Sequence, residues 1–198
     1  MRDKYGVGQD KYCYPGSDVL KNLLNIRNAE LLSEAETELT AERYRTYRSP
    51  VESLTDFNLD HLSYLHRYLF QDIYDWAGNL RDVDISKGNT RFCTWTRIKP
   101  EANKLLKGIS QLEGLATKQE LVKEIANLFC ELNIIHPFRE GNGRVQRFYF
   151  EELLFVLGYD INWPKISQNA WIEANIAGVH FDLSPLEKIF AEAMSARA

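Results

Sequence analysis

Between His136 and Arg147 the chain reads HPFREGNGRVQR, with one histidine, one carboxylate, two glycines and three arginines in twelve residues. Each of these types has a chemical use. Glycine at 141 and 143 permits backbone conformations closed to other residues, so successive amides can turn toward one point. At the start of a helix, unpaired first-turn amides and the positive end of the dipole favour an anion, and Arg144 and Arg147 fall three apart above it. A polyphosphate suits that combination. Glu140 would repel a bare phosphate, but a magnesium ion bridging carboxylate and phosphate oxygens reverses the conflict, so the acid implies a metal. His136, neutral near physiological pH, is a base able to take a proton from an attacking hydroxyl. The chemistry that results is group transfer onto a hydroxyl.

GxxxxGK[ST] and HExxH are absent, and GNGRVQ lacks the third glycine and preceding strand of a dinucleotide fold. Spacing alone leaves open a purely structural connection whose arginines pair with surface acids.

The chain that must position these residues has 198 of them and a formal net charge of −4, with 44% hydrophobic and 26% charged residues. That length suits one domain with a real core, and the charge gives no general reason for nucleic-acid or membrane affinity, so any basic site is local. No apolar run approaches the roughly 18 to 20 residues that cross a bilayer, and MRDKYGVGQDKYCYPG lacks the apolar centre of a secretory signal. A cytoplasmic protein is expected. Cys13, Cys93 and Cys130 form no CxxC pair, which argues against a zinc cage and a disulfide framework.

Turn residues Pro15 to Asp18 precede Val19, Leu20, Leu23, Leu24 and Ile26, whose period predicts a first short helix. A second runs from Asn28 to about Tyr47, ahead of Pro50. Asn58 caps a third, in which Leu59, Leu62, Leu65, Leu69, Ile73 and Trp76 recur three or four apart until Gly78 ends it. His61 and His66 lie on or beside that stripe and read as structural, since no acid or cysteine stands at metal-ligand spacing. Between Arg81 and Trp95 the period becomes two, with Lys87-Gly88-Asn89 as the turn, which predicts a β-hairpin whose free edge could accept an extended peptide or which serves as a mere connector. Thr117 and Glu120 form a capping box for a helix whose apolar face (Leu121, Ile125, Leu128, Leu132, Ile135) leads into His136. The next helix, from about Asn142 to Gly158, is apolar on nearly every side and reads as central and buried. The fold class expected is therefore mainly α, a helical bundle with a central buried helix and a small β-hairpin flap.

HPFREGNGRVQR resembles the HxFx[DE]GNGRxxR signature of Fic-domain proteins at every specified position. LHRYLFQDIYDWAGNLRDVDI is similar to that family's segment leading into its flap, AWIEANIAGVHFDLSPLEKIF to its closing helices, and YPGSDVLKNLLNI to small bacterial Fic toxins. The resemblance implies one Fic-type domain over 1–198, with an N-terminal helical segment (1–50), a core with flap and signature loop (51–160) and closing helices (161–198). It implies transfer of AMP from ATP to a hydroxyl side chain of another protein, with release of pyrophosphate and dependence on Mg2+. By carry-over, His136 is the general base, Phe138 anchors the loop and Glu140 holds the metal. Gly141, Asn142 and Gly143 cradle the α and β phosphates with Arg144 nearby, and Arg147 clasps the γ-phosphate. The flap, with Gly88, Asn89, Thr90, Arg91 and Phe92 near its tip, docks the target by main-chain pairing. Trp171 and Asn175 border the adenine or serve as core packing; His180 has no matched role.

Two departures choose among family activities. Relatives that phosphorylate carry lysine where this chain has Gly143, which favours adenylylation. Self-inhibited relatives carry [ST]xxxE[GN], and no serine or threonine here has glutamate four residues later. Inhibition is then expected from a separate antitoxin whose helix presents that glutamate to Arg147, making the chain the toxin of a pair. By analogy with the small toxins, the targets are DNA topoisomerase subunits, gyrase and topoisomerase IV. The alternatives are transfer of another nucleotide or phosphate-containing group, or a module that binds nucleotide or partner without turnover.

Overall fold

A computed structural model of the chain describes residues 11–197, so the reading made of residues 1–10 lies outside it. Four of the helices open on capping side chains. Asn28 accepts from the amide of Leu31 to open α1 (Ala29–Thr46), and Asn58 does the same for His61 at the start of α2 (Leu59–Phe70). A hairpin follows, β1 (Ser86–Lys87) and β2 (Thr90–Arg91), then α3 (Ile98–Leu106) with a 3-10 extension over Lys107–Gly114. The Thr117–Glu120 capping box opens α4 (Lys118–Ile135), whose expected stripe is buried throughout. After α5 (Asn142–Val156) come β3 (Tyr159–Ile161), α6 (Gln168–Val179), α7 (Ser184–Ala193) and β4 (Met194–Ala196), which turns back antiparallel to β3. The architecture is mostly helical, as expected. No helix among the described residues is long and apolar enough to cross a membrane.

α5 is buried along most of its length and shares the centre of the bundle with α4, which packs on α3, α5, α6 and α7. α5 itself packs on α2, α4 and β3, and Val145, Phe148, Tyr149, Phe150, Leu153 and Leu154 are all buried. Burying apolar side chains on so much of its circumference fixes its N-terminus, and with it the loop from His136 to Gly141, against α2 and α4.

Three expectations need correction. No helix forms between Val19 and Ile26. Leu23 and Leu24 are exposed, and the buried side chain of Asn22 binds Leu20 O, Ile26 O and Ile26 N in place of a helical ladder. Helix α2 ends at Phe70, and the stripe continues through Ile73 in successive turns. Gly78 returns against the helix at φ +86, where a Cβ would meet Arg67 Cβ at 2.8 Å and Ser63 O at 3.0 Å, so it permits a close approach and does not cap. The hairpin is present with only two residues per strand, paired Ser86 with Arg91 and Lys87 with Thr90, and Trp95 begins a 3-10 turn.

α5 also carries Glu152 into a closed polar cluster, where its carboxylate accepts from Tyr47 Oη at 2.8 Å, from Ser49 Oγ, and meets His61 Nε2 at 2.5 Å. Burial pushes this carboxyl up, but the bonds from His61, Ser49 and Tyr47 outweigh it and hold the pKa below its ordinary 4.5. A depressed acid stabilises the fold above its unfolded pKa and loses that contribution as pH falls through the folded value. Glu152→Gln is therefore expected to cost about 1.5–3 kcal/mol in urea unfolding at neutral pH and to flatten the decline below about pH 4.5. An unchanged midpoint and an unchanged acid limb would show that the cluster contributes nothing.

Candidate functional site

The site is built where α4 stops. His136 occupies its C-cap in the left-handed region (φ 48, ψ 65), with its amide donating to Leu132 O at 3.0 Å. Histidine tolerates this conformation better than most residues, and it turns the ring out of the helix. Nδ1 lies 3.0 Å from Asn133 O, an atom that only accepts, so Nδ1 carries the proton and Nε2 keeps its lone pair. The ring stacks on Phe92 with centroids 3.8 Å apart and planes 16° off parallel. Burial pushes the imidazole down to about 4, with the Asn133 bond and Glu140 opposing and Arg81 and Lys87 reinforcing. Neutral at pH 7 and free at Nε2, it has the form of a base.

The loop beyond is closed by its own residues. Phe138 is fully buried, and Asn142 closes the turn with both ends of its side chain, Oδ1 accepting from Phe138 N at 2.9 Å and Nδ2 donating to Phe138 O at 2.8 Å. What Asn142 offers an anion is therefore its backbone amide alone. Gly141 sits at φ 80 as the N-cap of α5, and among the described residues the amides of Asn142 and Gly143 find no acceptor. Two unpaired donors at a helix N-terminus are an anion site in the making.

Of the motif's three arginines, two face this end of α5. Arg144 stands 4.7 Å above the Phe70 ring and pairs with Glu36 of α1, which also accepts from Tyr74 Oη. Arg147 lies over Trp171 of α6 at 5.8 Å and is held below its ordinary pKa by burial. Arg139 turns away, buried beside Tyr12 and 3.8 Å from Cys13 Sγ. Trp171 packs edge-on against Phe129 and Trp163. Asn175 donates to Trp171 O at 2.8 Å and leaves a buried Oδ1 without a hydrogen-bond partner among the described residues, an acceptor available to an amino group.

Glu140 is the loop's single acid, with Oε1 accepting from Gly141 N at 2.9 Å. No group of three or more potential metal ligands gathers among the described residues. A lone carboxylate beside an anion site still fits a hard divalent ion that draws its other ligands from substrate phosphates and water.

Around the hairpin, Gly88, Asn89 and Arg91 are exposed and Thr90 partly so, at a tip made by Gly88 at φ 58. Phe92 departs from its expected place at the tip: it is buried, its amide donates to Ile85 O at 3.3 Å, and its ring backs His136.

Glu36 and Arg81 shape the site without having been marked in the sequence, and His66 shapes it from a position read there as structural. The structural reading of His66 holds, and its location gives it consequence. The ring is fully buried between Phe138 (3.9 Å) and Phe70 (4.8 Å), accepts from Gly78 N at Nδ1 (2.8 Å) and donates from Nε2 to Glu140 O (2.9 Å). Only the neutral ring fits, and burial pushes its pKa down to about 4. A histidine depressed from 6.5 on folding stabilises the native state above about pH 6.5 and loses that contribution as pH falls toward 4. His66→Gln cannot bridge both backbone groups. It is expected to cost about 1–3 kcal/mol and to flatten that slope, read by denaturant unfolding at pH 7 and pH 5. An equal loss at both pH values would detach the ring from the acid behaviour.

Against known proteins, residues 56–154 match the Fic/DOC family. Among curated proteins the chain is similar to "Probable protein adenylyltransferase Fic" of Escherichia coli (strain K12), 43% identical over 199 residues that cover 98% of this chain and 97% of that protein. It is 34% identical to "Protein adenylyltransferase VbhT" of Bartonella schoenbuchensis over 87% of this chain and 36% of that one. Among solved structures it resembles the N-terminal Fic domain of a VirB-translocated effector from Bartonella quintana with bound ADP, with TM-score 0.83 and 28% identity over 94% of this chain and 95% of the other.

Proposed function

Because this chain belongs to the Fic/DOC family, we propose that it is a protein adenylyltransferase that moves AMP from ATP to a hydroxyl side chain of a target protein. One observation carries the reading: an imidazole with a free Nε2 adjoins a loop whose first-turn amides lack acceptors. The adenylyltransferase names of relatives that match nearly the whole chain, and the ADP in a similar fold, support it.

In this reading the amides of Asn142 and Gly143, turned inward by Gly141, receive the α and β phosphates with Arg144 nearby, Arg147 clasps the γ-phosphate, and Trp171 and Asn175 border the adenine. Glu140 would hold Mg2+, which when bound offsets charge on the phosphates. Nε2 of His136 takes the proton of the target hydroxyl as its oxygen forms a bond to the α-phosphorus; the bond from that phosphorus to the bridging oxygen breaks, and pyrophosphate leaves. The exposed Gly88–Arg91 turn offers main-chain groups to an extended target segment. Gly143 leaves room where phosphorylating relatives carry lysine. The finer reading is that of a toxin held inactive by a separate small antitoxin whose helix presents a glutamate to Arg147, with DNA topoisomerase subunits, gyrase and topoisomerase IV, as targets.

The test is incubation of the purified chain with lysate, Mg2+ and α-labelled ATP, followed by intact-mass analysis of labelled proteins. A gain equal to one AMP is expected. A gain of a different mass would assign another transferred group, and binding of ATP without any label would leave a binding module.

A further inference from the structure

Arg81 is a fully buried guanidinium whose bonds among the described residues all go to main-chain carbonyls. Nε donates to His136 O at 2.8 Å, Nη1 to Val83 O at 2.6 Å, and Nη2 to Cys93 O at 2.5 Å and Ile135 O at 3.2 Å. Val83 and Cys93 lie on the two stems of the hairpin, one before β1 and one after β2; Ile135 and His136 are the last turn of α4. Its own amide adds a bond to Pro137 O at 2.9 Å, and Cys93 N one to Ile134 O at 3.0 Å. Burying this cation is costly, and desolvation pushes its pKa down to about 10. The carbonyl-rich end of α4 compensates it with direct bonds, and the nearby charge of Asp84 adds to them.

We propose that Arg81 is a positioning residue that clamps both hairpin stems to the end of α4, so that the hairpin and the His136 ring move as one body. This rests on the adenylyltransferase reading for its consequence, because a target segment docked on the hairpin is then placed in fixed register with Nε2. The stack of Phe92 on His136 is the visible product of the clamp, since Phe92 lies immediately before Cys93. Lysine at 81 retains the charge and loses the fork that reaches both stems and the helix together.

The experiment compares wild type, Arg81→Lys and Arg81→Met. The His136 ring-proton resonance, displaced by the stacked Phe92, is expected to move toward an unstacked position in both variants. In transfer assays kcat is expected to fall about 10²-fold in Arg81→Lys, the cost of an ångström-scale misplacement, while KM for Mg·ATP stays within about twofold because the loop amides are untouched. An unmoved resonance together with wild-type kcat in Arg81→Lys would overturn the clamp. If Arg81→Met does not fold, Arg81→Lys decides alone. The ring-proton arm needs no turnover, so it reads the clamp even where no target is labelled, and absence of label in wild type counts against the proposed activity instead.

Discussion

Replacing His136 with alanine is expected to slow AMP transfer by about 10²- to 10⁴-fold, the usual worth of a positioned general base, while Mg·ATP affinity stays within about twofold. The asymmetry follows from the geometry. The imidazole contacts Asn133 O and the Phe92 ring, and neither belongs to the amides that face the anion site. In the free protein the ring is pushed down to about 4, so kcat/KM should be level from about pH 5 to 8 and fall as pH drops through 4. A bound triphosphate favours the imidazolium, so the acid limb of kcat should lie at higher pH. Rapid-quench labelling with calorimetry in parallel measures both parts, and undiminished labelling by the alanine variant would remove His136 from proton transfer.

Gly141→Ala should be the most damaging small substitution in the loop. The residue sits at φ +80, and an added Cβ would lie 2.3 Å from Phe70 Cζ and 2.5 Å from Cε2. Phe70 has nowhere to withdraw, since it is fully buried and stacked on the histidine that holds Glu140 O. Left-handed strain of about 1–2 kcal/mol and overpacking of about 1–3 kcal/mol together predict a loss of about 2–5 kcal/mol and at least a tenfold weaker hold on Mg·ATP. Gly143→Ala is the control, because a Cβ there meets nothing within 4 Å and its φ is not positive. That change is expected to be neutral or stabilising by up to about 1 kcal/mol. Equal destabilisation in urea unfolding would show that the Phe70 contact does not govern the loop.

Helices α2 and α4 were legible because their capping side chains and apolar stripes are local and coincide; α1 showed as a run of helix formers ahead of Pro50, α5 as a run apolar on nearly every side although its N-cap, Gly141, offers no side chain, and Gly88-Asn89 marked the hairpin turn. The segment 19–26 misled because spaced leucines can come from a chain pinned by one buried asparagine. The end of α2 misled because turns carried the stripe onward to Ile73. α3 was not foreseen, and β3 with β4 was invisible because each strand has three residues and its partner lies more than thirty positions away. In the site, the motif named the loop. Its supports, Glu36, His66 and Arg81, reach the signature segment at Arg144, Glu140 and His136, 108, 74 and 55 positions away, and such pairings leave no periodic trace.

The contact between Glu36 and Arg144 bears on how the anion site greets its ligand. A guanidinium already matched with an acid has shed most of its hydration during folding, so an arriving phosphate trades one counter-ion for another and strips no fresh water from a bare cation. Capture then resembles ion exchange on a resin, with selectivity set by how much more negative charge the newcomer brings than a single carboxylate. A triphosphate brings enough charge to compete for the guanidinium, whereas chloride or a lone carboxylate has little with which to do so.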